Sequence, residues 1–175
     1  MTFSKRIYWP LLGLFCLCFA LPSWALEPAA QVLFSHGGVT ATNAEGERPL
    51  AKDNPIFSGD TVNTTQDGRA QLRFTDDALV SLMPNSTFAV DAYLAPSAKD
   101  SGAISMSLVK GGLRTITGSI GKQNHENYEL KTPVATLGIR GTEYVVVLDE
   151  DTLRLKVDEG VVSLHIPHGQ LNVRA

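Results

Sequence analysis

Apolar and polar residues alternate strictly in several short runs of this chain, from residue 31 onward. In residues 69–74, for example, Ala, Leu and Phe occupy every second position, and Arg, Gln and Arg occupy the others. Such a period of two is typical of β-strands that bury one face. Residues 144–148 are apolar throughout, which predicts a central strand buried on both faces. Further alternating runs occupy residues 104–108, 153–158, 162–166 and 170–174.

Turn-forming residues separate these runs at short intervals, as at Asp67-Gly68 and Pro84-Asn85. No stretch after residue 31 has apolar residues at helical spacing. About a dozen short strands with regular turns therefore predict an all-β domain, without any helix outside the first 25 residues. A sandwich, a barrel and a solenoid are all compatible with this pattern.

Three segments share the order strand, one or two polar residues, glycine and a second strand. Their glycines are Gly37-Gly38, Gly111-Gly112 and Gly160. The copies are unevenly spaced, so they do not form a repeat array. We expect three tight corners at which glycine supplies a backbone conformation that other residues avoid.

The first 25 residues have the layout of a secretory signal peptide. Lys5-Arg6 precedes an apolar run over residues 7–21, and Ser23 and Ala25 are the small residues of a signal-peptidase site. A retained membrane anchor is less favoured, because a span needs about 20 apolar residues. We therefore expect cleavage after Ala25 and a periplasmic or secreted protein that has no stable membrane insertion after cleavage.

The composition outside this leader excludes several classes of function. Both cysteines, Cys16 and Cys18, lie within the leader, so cysteine catalysis, cysteine-ligated metal and disulfides are excluded from the mature chain. The chain has 15 basic and 18 acidic side chains, and two of the basic ones, Lys5 and Arg6, belong to the leader. The mature chain is thus net acidic, which argues against a nucleic-acid partner.

No catalytic motif accompanies the polar residues. Ser35-His36-Gly37-Gly38 resembles an oxyanion loop, but no Gly-x-Ser-x-Gly nucleophile turn exists in the chain. His165 and His168 form the one close histidine pair, and no carboxylate or cysteine stands beside them at ligand spacing. We therefore expect no enzyme and no cofactor, although a glycosidase-like pair of distant carboxylates stays open.

Residues 132–144 read threonine-proline-x-alanine, followed by arginine-glycine-threonine before an apolar strand. This segment resembles the hallmark of the FecR domain family. The resemblance implies a FecR-type β-domain over residues 26–175. Further blocks that resemble the family follow its order, at residues 58–62, 67–72, 82–86, 109–113 and 157–161.

The family's namesakes are bacterial regulators of iron uptake. They join a cytoplasmic segment that controls a sigma factor, a membrane helix, and a periplasmic domain that senses an outer-membrane transducer. Here only four residues precede Lys5-Arg6, and Ala175 directly follows the last predicted strand. The resemblance therefore implies a stand-alone version of the periplasmic domain.

The motif residues are expected to be mainly structural. Pro133 suits the entry of a strand, because it has no N–H to pair. Gly138 and Gly141 bracket a predicted bulge or corner. Arg140 has five donors that could tie carbonyls or a carboxylate across this corner, or it could face a partner. The motif is completed by Thr132 and Thr142.

Two longer polar loops, residues 95–102 and 118–127, are candidates for binding, because such loops are mobile and vary without cost to the core. We expect a non-enzymatic module that binds an envelope protein or polysaccharide, in signalling or assembly. The alternatives are a structural accessory domain or fragment of a larger surface protein, a regulator of an iron-uptake sigma factor, and an enzyme of unrecognised type. The candidate contacts are Lys99, Asp100, Lys122, Asn124 and His125.

Overall fold

The computed structural model describes residues 27–175, so the predicted signal peptide lies outside the described residues. The all-β prediction is confirmed by 13 strands in one sheet. The expectation of no helix is wrong, because the segment 118–127 contains helix α1 (Ser119–Gln123) and a 3₁₀ turn (His125–Asn127). The strands are β1 (Ala30–His36), β2 (Val39–Asn43), β3 (Gly46–Pro49), β4 (Pro55–Ile56), β5 (Thr61–Thr64), β6 (Arg69–Phe74), β7 (Leu79–Leu82), β8 (Thr87–Leu94), β9 (Ala103–Ile116), β10 (Tyr128–Lys131), β11 (Thr136–Asp149), β12 (Thr152–Ile166) and β13 (Gly169–Arg174).

Three long strands, β9, β11 and β12, connect two halves of the sheet. The first part of β9 pairs with β8 and, in parallel, with β10, whereas its last part pairs with β7 and β11. We call the side that continues through β7, β6, β1 and β4 the β7 half. The β8 half continues through β8, β5, β2 and β3, and it also holds β10 and β13.

Each long strand changes direction at a glycine. Gly111 in β9, Gly141 in β11 and Gly160 in β12 have φ angles of 82°, 57° and 81°. These values lie in the left-handed region that glycine adopts most readily. Gly37, with a φ of 65°, makes the corner after β1. The three predicted glycine corners are therefore confirmed, and so is the separately predicted corner near Gly141.

The two halves face each other across one hydrophobic core. The ring centroids of Phe74 in the β7 half and Tyr93 in the β8 half lie 5.6 Å apart. The hydroxyls of Tyr128 and Tyr144 meet at 2.8 Å from opposite halves. All 13 strands and this core lie within residues 27–175.

The apolar run at residues 144–148 is a central strand segment, paired with β9 on one side and β12 on the other. Tyr144, Val146 and Leu148 are buried, whereas Val145 and Val147 are only half-buried. The prediction of burial on both faces is therefore wrong, because only one face of this sheet packs against the opposite half.

A buried carboxylate stabilises the corner before β5. Asp60 is fully buried and accepts hydrogen bonds from Arg48 Nη2 at 2.5 Å, the Phe57 N–H at 2.8 Å and Asn43 Nδ2 at 2.9 Å. Burial by itself would raise the pKa of this carboxyl. The hydrogen bonds from Arg48, Phe57 and Asn43, together with the Arg48 charge, outweigh it and hold the pKa below its usual value of 3.8.

Candidate interaction surface

The threonine-proline part of the family motif forms the turn between β10 and β11. The Thr132 hydroxyl donates to the Ala135 carbonyl at 2.8 Å and accepts from the Ala135 N–H at 3.0 Å. Pro133 lies exposed within this turn. These hydrogen bonds pair the N–H and C=O groups of Ala135 in the turn that follows β10, so this part of the motif has a structural role.

The arginine-glycine-threonine part lies at the bend of β11. The pairing of β11 with β12 shifts register between Arg140 and Glu143, which places a bulge at Gly141 and Thr142. Thr142 is buried, and its carbonyl accepts from the Thr117 hydroxyl at 2.7 Å. A Cβ added at Gly138 would meet no neighbouring atom closer than 4.0 Å, so this glycine leaves the outer face of the sheet open.

Arg140 does not tie this corner together. Strand alternation buries Ile139 and directs Arg140 to the outer face, where its side chain is exposed. Within residues 27–175 it makes no side-chain hydrogen bond and no ion pair. Its position agrees with the other possibility, that of facing a partner.

The segment 95–102 is an exposed connection between β8 and β9. The Ser97 hydroxyl accepts from the N–H groups of Lys99 at 3.3 Å and Asp100 at 3.1 Å. The Asp100 carboxylate accepts from the Gly102 N–H at 2.9 Å. The Lys99 and Asp100 side chains are exposed, as predicted, and Asp100 also helps to shape the turn.

The segment 118–127 is not the loosely packed loop that its composition suggested. Ile120 and Gly121 are buried, and Gly121 lies so close to Ile139 and Thr117 that a Cβ would overlap them. The buried Asp76 carboxylate accepts from the Ile120 N–H at 3.2 Å. Helix α1 therefore packs on the part of β11 that lies between its pairings with β10 and β9.

The three candidate contacts of this segment differ in what they do. Lys122 is exposed. The Asn124 side chain accepts from the Glu126 N–H at 3.3 Å, and His125 Nδ1 lies 2.7 Å from the Gly121 carbonyl oxygen, to which it can donate. Asn124 and His125 are half-buried, so they shape the segment, whereas Lys122 is available to a partner.

The tertiary structure brings the two candidate segments together. Asn127 Nδ2 donates to the Gly102 carbonyl at 2.7 Å and to the Ser101 hydroxyl at 3.3 Å. A cleft of about 330 Å³ lies beside this contact, and its lining includes Leu94, Glu126 and Glu129. We call this cleft and the exposed residues of both segments the loop surface. Sequence reasoning included Glu126 and Asn127 in a candidate segment without singling them out as contacts. It missed Leu94 and Glu129, because only the fold reveals that the segments are neighbours.

A second groove, of about 420 Å³, lies on the outer face of β11 and β12. Its lining includes Thr136, Gly138, Ser163, His165 and His125. This groove brings one candidate contact next to one motif glycine. In the described part of the chain, no three His, Cys, Asp or Glu side chains are grouped so as to hold a metal ion.

Fold and surface together define an all-β domain in which a sheet carries two joined connecting segments. Binding and catalytic residues lie disproportionately often on such segments. The sequence profile of the FecR protein family matches residues 60–163. Because this match spans more than half of the chain, the chain belongs to the FecR family.

Two crystal structures of a candidate anti-sigma factor from Parabacteroides distasonis ATCC 8503 share the fold, each with a TM-score of 0.52 and 11% sequence identity. The similarity covers 65% of this chain and 50% of theirs, so it spans half the length of those proteins. No curated protein matches the chain in sequence. Among residues 27–175, no helix has the length and apolar character needed to cross a membrane.

Proposed function

We propose that this chain is an exported, non-enzymatic FecR-domain protein that binds a protein partner in the bacterial envelope. Family membership fits a signalling or regulatory module. Export is supported by the charged start, the apolar run and the small residues Ser23 and Ala25.

The observation that carries the binding proposal is the contact of Asn127 with Gly102 and Ser101. It joins two polar segments into one surface on a rigid scaffold, which lowers the conformational entropy lost on binding. The loop surface offers the cations Lys99 and Lys122, the carboxylate of Glu126 and an exposed Leu94. Mixed charges around an apolar cleft suit a protein surface better than a uniformly charged polymer.

A second candidate is control of a sigma factor through a protein complex. It is favoured by the fold shared with the candidate anti-sigma factor, which is about twice as long as the shared region. Genes for a sigma factor and an outer-membrane receptor beside this gene would support it, and an exporter or polysaccharide operon would support an assembly role.

The test is affinity capture from an envelope extract with residues 26–175 as bait. Replacing the whole segment 118–127 would also remove the buried Ile120, so point substitutions are preferable. The variant Lys99→Glu/Lys122→Glu reverses two exposed charges of the loop surface. Its matched control, Lys52→Glu/Lys110→Glu, reverses two exposed charges elsewhere.

We expect the control to retain the partner that the wild type captures, and the loop-surface variant to lose it while keeping its circular dichroism spectrum. Retention of every specific partner by the folded loop-surface variant would place the binding site elsewhere. Turnover of an envelope substrate by the purified protein would overturn the non-enzymatic proposal.

A further inference from the structure

Strand β13 presents an open edge at one end of the sheet. Within residues 27–175 it pairs only with β12, in a continuous register from Gly169 to Arg174 without a bulge. Five of its six residues are exposed. It contains no proline, and Arg174 is its one charged residue. A straight, weakly charged edge of this kind can pair with another strand.

The other terminal strands of the same sheet are protected. β3 is four residues long and contains Glu47, Arg48 and Pro49. β4 is two residues long and begins with Pro55. Short length, charge and proline are the usual means by which edge strands avoid pairing. Of these three edges, β13 is the one that lacks such protection.

The hydrogen-bond pattern shows which groups of β13 point outward. The N–H of Ala175 donates to the Gly160 carbonyl at 3.3 Å, towards β12. Backbone direction alternates along an antiparallel strand, so the odd-numbered residues of β13 bond to β12. The N–H and C=O groups of Gln170, Asn172 and Arg174 therefore point away from the sheet.

We propose that this edge pairs with β13 of a second copy of the chain, antiparallel across a two-fold axis. With Asn172 opposite the partner's Asn172, Gln170 lies opposite the partner's Arg174, and all three outward-pointing residues find backbone partners. The same register sets Leu171 opposite the partner's Val173. No like charges meet, and polar and apolar faces stay matched.

The exposed apolar side chains on one face of β12 and β13 also favour a second copy of the chain as the partner of this edge. Ile166 and Leu171 are 46% and 58% exposed, and they continue the face that buries Val162 and Leu164. A second sheet edge in register extends this apolar face on both sides of the axis. One strand pair falls short of the roughly 800 Å² per partner of a standard interface, so the dimer is expected to be reversible.

The proposal is tested by sedimentation of residues 26–175, which contain every described strand and the whole core. The wild type is expected to shift from monomer to dimer between micromolar and millimolar concentration. Leu171→Lys puts a charge on the paired face and is expected to abolish the dimer. The control Val109→Lys alters a side chain that is 52% exposed elsewhere and is expected to dimerise like the wild type.

A second measurement tests the register. Residues 26–175 contain no cysteine. Two Asn172→Cys copies would have Cα atoms about 5.5 Å apart, within disulfide range. Two Gln170→Cys copies would be offset by four residues, about 13 Å, beyond that range. Oxidation is expected to cross-link the first variant and not the second.

A wild type that stays monomeric throughout this range overturns the proposal. So does a folded Leu171→Lys variant that dimerises as strongly as the wild type, because the interface would then lie elsewhere. Equal cross-linking of Asn172→Cys and Gln170→Cys would also overturn the proposed register.

Discussion

The hydroxyls of Tyr128 and Tyr144 form a hydrogen bond of 2.8 Å in the core, where both residues are buried. Tyr128 begins β10 in the β8 half, and Tyr144 belongs to the part of β11 in the β7 half. The bond is thus a polar link between the two halves within the core, close to the buried Thr115. Neither hydroxyl can exchange this partner for solvent.

Removing one of these hydroxyls is expected to lower the free energy of unfolding by more than half of what removing both lowers it. Tyr128→Phe leaves the Tyr144 hydroxyl buried without its partner, at a cost of about 1–3 kcal/mol in the free energy of unfolding. The double variant Tyr128→Phe/Tyr144→Phe should lose less than the sum of the single losses. Urea denaturation measures all three. Tyr93→Phe is the control, because its hydroxyl meets Thr75 at an exposed site.

The tyrosine pair is expected to make the fold sensitive to alkali. Burial raises the pKa of Tyr128 to about 12 and that of Tyr144 well above its usual range. The unfolded chain releases these protons near pH 10, so their contribution to stability is complete below about pH 10. It is lost as the pH rises from there towards the folded-state values, because the unfolded chain then releases protons that the folded chain still holds. Parallel pH profiles for the wild type and the double phenylalanine variant would contradict this.

The corner at Gly141 is expected to tolerate residues according to their backbone preference. An added Cβ there meets no atom within 4 Å, so the cost comes from the φ angle of 57°. Gly141→Val should destabilise the fold by more than about 1 kcal/mol, and Gly141→Asn by less, because asparagine adopts this conformation more readily. Wild-type stability of Gly141→Val in chemical denaturation would refute this.

Gly160, next to Gly141 in the structure, is expected to tolerate substitution even less. Its φ angle is 81°, and a Cβ would also overlap the carbonyl oxygen of Gly141. Gly160→Ala should therefore lower the free energy of unfolding by more than Gly141→Ala does. Equal losses of unfolding free energy in the two alanine variants would contradict this, because they would show that the backbones of residues 141 and 160 move apart at little cost.

The Asp60 network is expected to weaken the fold in acid. Because the pKa of Asp60 is held below its usual value of 3.8, its contribution is present above about pH 4 and is lost as the pH falls through the folded-state pKa. Asp60→Asn removes the charge opposite Arg48 and should cost about 2–3 kcal/mol near neutral pH. Its stability should then fall less steeply in acid. Asp151→Asn, at an exposed position in the turn between β11 and β12, is the control and should behave like the wild type.

Export predicts a processed chain. We expect the intact mass of protein recovered from the periplasm to correspond to residues 26–175, because Ser23 and Ala25 fit the peptidase site. A recovered chain that still contains Cys16 would contradict cleavage at this position.

The strands and most corners follow from local sequence. Alternation at residues 69–74 and 162–166 predicts strands, because side-chain direction in a strand depends only on neighbouring residues. Gly37, Gly111 and Gly160 mark corners for the same reason, since the φ angle is a property of one residue. Membership of the FecR family is also indicated by short motifs, such as Thr132-Pro133 and Arg140-Gly141-Thr142.

Contacts between distant residues decided the rest. Helix α1 is five residues long, too short to show a helical period, and its position depends on Asp76, which accepts the Ile120 N–H from 44 residues away. The loop surface depends on Asn127 reaching Gly102 across 25 residues. The outward direction of Arg140 depends on which face of β11 meets the opposite half of the sheet. Alternation along the chain indicates that one face of a strand is buried. What that face contacts is decided only when the two halves pack together, because the contacting residues lie far away in the sequence.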